Sequence, residues 1–168
     1  MTLFTAGQVL TAAQLNNLGN YVEKSADQSV TSSTTLVNDS QLAVSLPVTG
    51  TYLVDVWLYG VSAANAAGGI RYGFSFPTGT LHYGTIVPIA SLASGTSGSG
   101  DWATQLSATS GVAAGVGGLS TSTTMHYLHG RLSVTATGTL QFMWAQASSN
   151  TNASTVKAGS HMLVRRVV

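Results

Sequence analysis

Charge is what this sequence has least of. Acidic and basic residues make up only 7% of its 168 residues, against about 25% in typical soluble domains. The six basic residues are scattered and the formal net charge is +1. Gripping a phosphate backbone takes clustered Lys and Arg, so nucleic acid is not an expected partner. Cysteine is absent altogether, which excludes disulfides, thiolate chemistry and zinc–thiolate sites. No apolar run approaches the roughly 18 residues that cross a bilayer, so membrane insertion is not expected. The start, Met-Thr-Leu-Phe-Thr-Ala-Gly-Gln, lacks the basic end and apolar centre of a signal peptide.

What is present is hydrophobic and small. Hydrophobic residues reach 44%, too many for a disordered tail. The length favours one domain with a short appendage. Ser, Thr, Gly, Asn and Gln carry the polar share and make a neutral, hydrogen-bonding surface. Little charge repulsion keeps copies of such a chain apart. Large contacts with its own kind are the expectation.

Two periodicities divide the chain. Thr11-Ala12-Ala13-Gln14 fits a capping box, with Leu10 and Leu15 at hydrophobic-staple positions. Leu15, Leu18 and Val22 follow at helical spacing, so the spacing predicts a short amphipathic helix from about Thr11 to Lys24. Gly19 weakens that helix by about 1 kcal/mol relative to Ala. Residues 1–25 read as an anchoring segment whose Leu10, Leu15, Leu18 and Val22 dock on a neighbour. Residues 26–168 read as one β-domain. Its strands are expected around Leu42–Leu46, Thr51–Tyr59, Ile70–Phe76, Leu81–Ile89, Thr123–Thr135, Thr139–Ala147, Thr155–Lys157 and Ser160–Val167. Thr51–Tyr59 carries apolar residues on both faces and reads as a central strand buried on both sides. In Ile70–Phe76 and in Leu140, Phe142 and Trp144 the alternation puts aromatic residues on one face. Ser94–Gly100 reads as a loop, and Ser110–Ser122 has no assignable pattern. The fold expected is an antiparallel β-sandwich or jelly roll with a short N-terminal helix.

Residues suited to catalysis are sparse. Five acidic residues, Glu23, Asp27, Asp39, Asp55 and Asp101, offer no evident pair for glycan hydrolysis, which needs two carboxylates about 5 to 9.5 Å apart. Asp55 is out of place inside the strongest strand and reads as a hydrogen-bonded or edge-facing residue. His126 and His129 are an odd number of residues apart, which in a strand puts them on opposite faces. A metal site from that pair is disfavoured. No Gly-x-Ser-x-Gly elbow appears between a strand and a helix, and the glycine-rich stretches match no nucleotide fingerprint. The reading is non-enzymatic, with no cofactor.

Three stretches carry a family resemblance. Phe4-Thr5-Ala6-Gly7-Gln8-Val9-Leu10-Thr11-Ala12-Ala13-Gln14-Leu15-Asn16 resembles the N-termini of many phage tail and baseplate proteins. Ala26–Val37 resembles the opening strands of small structural proteins in phages of actinobacteria. Gly138–Gln146, Thr155–Ser160 and Arg165-Arg166-Val167 are similar to the last hairpin of that group. These segments cover about a third of the chain, at both ends. The resemblance implies a virion protein of the minor tail type, a homotrimer with a jelly roll like that of complement C1q or tumour necrosis factor. Its partners would be itself and other virion proteins of the tail or the major capsid. A capsid decoration protein and a carbohydrate-binding β-domain outside any virion are the alternatives. Trp102, with Asp101 and Gln105 beside it, follows the Ser94–Gly100 loop and is the candidate contact for a host-surface glycan. The competing reading is that Trp102 starts another strand and fills the core or the subunit interface.

Overall fold

The structure, a computed structural model, describes residues 7, 9, 11, 19–62, 69–87, 101–117 and 123–167, with backbone alone at 61–62, 85–87, 101–108 and 113–117. Twelve strands account for the regular structure among these residues: β1 Asn20–Glu23, β2 Gln28–Val30, β3 Val37–Leu46, β4 Gly50–Ser62, β5 Ile70–Ser75, β6 Gly79–Val87, β7 Asp101–Ala108, β8 Ala113–Gly117, β9 Thr124–Val134, β10 Gly138–Gln146, β11 Ser154–Val156 and β12 His161–Arg166. They form two antiparallel sheets. The larger runs β1-β12-β4-β9-β6-β7, with β11 and β2 continuing the line of β12 and β1; the smaller runs β3-β10-β5-β8.

The expected helix is corrected at its C-terminal end. Asn20–Glu23 is a strand paired with Glu23 opposite His161 and Val22 opposite Met162. Tyr21 and Val22 favour strand over helix through their stiff or bulky side chains, and the β12 edge supplies the backbone partners. Val22 packs on the core as a strand residue. Leu10, Leu15 and Leu18 lie outside the described residues, as does the Ser94–Gly100 loop.

The core lies between the sheets. Period-two alternation sends Tyr52, Val54, Val56 and Leu58 of β4 inward, facing Leu140, Phe142 and Trp144 of β10 and Tyr72 and Phe74 of β5. Phe74 meets Phe142 edge-on at 5.5 Å and, from the opposite sheet, Tyr83 at 5.5 Å, the geometry aromatic pairs prefer. Within the larger sheet β9 and β6 lie so close that a Cβ on Gly130 would stand 2.7 Å from the Cβ of Tyr83, its partner on β6. Ser110–Ser122, unassignable by pattern, contains the edge strand β8.

One side of the molecule is built from interruptions. β3 and β10 lose register between Gln141 and Met143, where Ala43 and Asn38 are the successive partners on β3. The intervening residues bulge out, and side chains replace the missing ladder. Asp39 Oδ1 accepts the amides of Gln41 and Leu42 at 3.0 and 3.1 Å. Gln141 Nε2 donates to the carbonyls of Asp39 and Leu42. Lys24, the residue after β1, reaches in and donates to both oxygens of Asp39 at 2.9 and 2.8 Å, and both side chains are fully buried.

The matching break between β11 and β12 turns on Gly159, whose φ of +85° suits glycine. Ser160 Oγ accepts the amide of Tyr59 there at 2.9 Å. Asp27 takes the amide of Ala158 and the ammonium of Lys157. Those bonds, the backbone one first, hold the Asp27 carboxyl below its usual range.

Two glutamines close the seam between the sheets. Gln28 Nε2 donates to Asn38 O at 3.1 Å, while Gln28 Oε1 accepts the amide of Ser40 at 2.8 Å. Its amide thus sits against β3 as a peptide unit of a neighbouring strand would. Gln41 Oε1 accepts the amides of Ser25 and Ala26 in the same way.

Candidate functional site: the outer face of the larger sheet

β4 is central, and among the described residues its two faces differ. Tyr52, Val54, Val56 and Leu58 are buried, whereas Leu53, Asp55, Trp57 and Tyr59 point away from the core and are half-buried. Cross-strand partners share a face, so the pairings can be read as rows. One row runs Glu23, His161, Trp57 and Tyr127 across β1, β12, β4 and β9, and continues through the backbone positions of Ile86 and Trp102. The next runs Tyr21, Leu163, Asp55, His129 and Gly84.

The rings along these rows touch. Trp57 and Tyr127 lie with centroids 4.4 Å apart, Trp57 stacks on His161 at 6.2 Å, and His161 meets Tyr21 at 5.5 Å. Tyr21 is 56% exposed, Met125 47% and Leu163 38%. Large apolar groups left open in one continuous area, rather than singly, are the usual mark of a contact surface.

Polar groups punctuate the aromatic rows. Tyr127 donates its hydroxyl to Asp55 Oδ1 at 2.6 Å, and His129 Nδ1 lies 2.6 Å from the same oxygen. Desolvation first, and then the Asp55 carboxylate, push the Tyr127 hydroxyl up to about 12. Tyr21 likewise donates to Glu23 Oε2 at 2.5 Å, and that bond is the main cause of its raised pKa. The face therefore repeats one arrangement, in which a tyrosine hydroxyl is bound to a carboxylate beside a histidine. Asp55 is the hydrogen-bonded residue its odd position suggested. His126 is buried while His129 faces solvent, as their spacing required.

The candidate recognition residues fall on β7, the outer strand beside β6. Trp102 is its second residue, opposite Ile86, with Asp101 opposite Val87 and Gln105 opposite Tyr83. Trp102 thus does begin a strand; the side chains of all three residues lie outside the description. Trp57, Tyr127 and His129 were missed as a group, because their meeting depends on the β4–β9 register, which is not written locally. Among the described residues, no three His, Cys, Asp or Glu side chains gather as a metal-binding set.

No protein-family profile matches the chain, and no curated protein matches it.

Proposed function

We propose that this chain is a non-enzymatic virion structural protein that self-associates, as a trimer, through the outer face of its larger sheet. The observation that carries the proposal is the continuous aromatic row Trp57–Tyr127–His161, half-open on the face of a central strand. A second copy suits it better than a charged partner does. Glu23 and Asp55 on this face are matched in number by Arg131 and Arg165 on the same strand faces, so copies meet without net repulsion.

The strand pairing supports a jelly roll within the sandwich. Setting aside β2, β6, β7 and β11, the remaining eight strands pair first with last, second with seventh, third with sixth and fourth with fifth. Alternate pairs fall in the two sheets, which is the wrapping such a fold requires. The phage reading rests on the terminal segments that resemble tail proteins.

Sedimentation equilibrium at micromolar concentration is expected to give three times the chain mass of 17.2 kDa. Trp57→Arg, which puts a charge in the centre of the row, is expected to give a folded monomer, with association weakened at least 100-fold, about 3 kcal/mol or more. A wild-type mass near one chain overturns the proposal and favours the carbohydrate-binding alternative, in which the same face stays open to a glycan.

The anchoring role belongs to the residues before the sheet. Because Asn20–Glu23 and Lys24 are built into the fold, a truncation that tests anchoring must stop at residue 19. Removing residues 1–19 is expected to leave an oligomer of normal thermal stability that no longer incorporates into particles. Normal occupancy of the truncated protein in purified virions would dismiss the anchor. Locating the density in a particle map separates tail from capsid.

A further inference from the structure

A single carboxylate oxygen, Asp55 Oδ1, serves both Tyr127 and His129 at the centre of the face. The Asp55 side chain keeps 23% of its surface open to water, and that of His129 keeps 54%. We propose that self-association through this face takes up a proton at His129, so that the assembly tightens as pH falls. This inference rests on the self-association reading above and adds its regulation.

The driving term is desolvation. When a second copy covers the face, Asp55 loses its remaining water. With His129 neutral, an uncompensated carboxylate is buried, which is costly. With His129 protonated, the two form an ion pair already at hydrogen-bond distance, and what is buried carries no net charge. The covered state therefore binds the proton more tightly than the open state. By linkage, association strengthens as pH falls.

The surrounding charges decide whether that local effect survives. On β9 itself Tyr127 already donates to Asp55, and Arg131 lies one row away. On β4 the other titratable neighbour is Tyr59, two rows away. On β6 the position facing His129 is Gly84, where an added Cβ would meet nothing within 4 Å. The β6 histidine, His82, is opposite Arg131; a proton there adds like charge and opposes assembly. Farther off, β12 presents His161 and Arg165, and β1 presents Glu23 opposite His161. That second acid–histidine couple acts in the same direction as the first. Among the described residues, His129 is the histidine of this face that touches a carboxylate, so its contribution dominates.

The test is sedimentation equilibrium of the full chain at about pH 7.5 and about pH 5.5, with circular dichroism to verify folding. Wild type is expected to tighten by up to about tenfold per pH unit for each protomer, the limit for one proton taken up. His129→Asn keeps a donor for Asp55 but cannot titrate, and is expected to lose most of that response. Asp55→Asn removes the charge and is expected to flatten it too, whereas His82→Asn should preserve it. A trimer whose affinity is the same at both pH values overturns the inference alone. So does a His129→Asn variant with the full wild-type response. A monomer at both pH values overturns the self-association reading, and this inference with it.

Discussion

Replacing Asp39 with alanine is expected to cost about 3–5 kcal/mol of folding stability, the range for removing one partner of a buried ion pair. The Lys24 ammonium is fully buried and donates to both oxygens of Asp39, so the variant strands a cation in the interior. The amides of Gln41 and Leu42 lose their acceptor as well. Urea unfolding monitored by tryptophan fluorescence measures the loss. The informative comparison is with the double variant Lys24→Met/Asp39→Ala. It removes the stranded charge and is expected to be more stable than Asp39→Ala, though short of wild type because the two amides stay uncapped. If the double variant is as unstable as the summed single losses, the pair is not coupled and the expectation fails.

Phe142→Ala is expected to cost a similar amount, about 3–5 kcal/mol, by a different route. Phe142 is fully buried at the centre of β10, against Phe74 at 5.5 Å and Tyr72 at 6.5 Å. Both neighbours belong to β5 of the same sheet, within the core cluster that the two sheets share, and the hole cannot close without moving these rings or the facing sheet. For a chain of this size each kcal/mol shifts the melting temperature by about 2–4 °C, so calorimetry should find a fall on the order of 10 °C. A fall under about 3 °C would mean that the core relaxes around the gap. Because Phe142 faces inward, the association constant of the folded variant should stay near wild type, which separates this effect from that of Trp57→Arg.

The two expectations differ in how visible they were beforehand. Phe142 is legible in Leu140-x-Phe142-x-Trp144, since alternation in a strand fixes which residues share a face. The same rule placed the aromatic inner face of β5 and separated His126 from His129. It failed wherever the backbone departs from regular pairing. The bulge at Asp39–Leu42 gives no periodic signal, and Lys24 reads as the polar end of a helix until the β12 edge claims Asn20–Glu23. Their pairing joins residues 15 apart through two sheets, and nothing local announces it. The candidate face was half legible. Apolar residues on both sides of Thr51–Tyr59 pointed to a second buried surface. The register that gathers Asp55, Tyr127 and His129 is set by β9, more than 70 residues away, and only the folded chain reveals it.

The glutamine seam bears on how far assembly can run. An open strand edge accepts any other strand, and each added strand presents a fresh edge, so growth there has no natural stopping point. Gln28 fills the outward carbonyl of Asn38 and the outward amide of Ser40 with one side-chain amide, leaving no vacancy for a foreign backbone along that stretch of β3. A neutral, hydroxyl-rich chain has few charges with which to discourage fibrils. On this side of the fold the glutamine side chains occupy the backbone groups instead, so that a neighbouring copy would find only side chains to touch there.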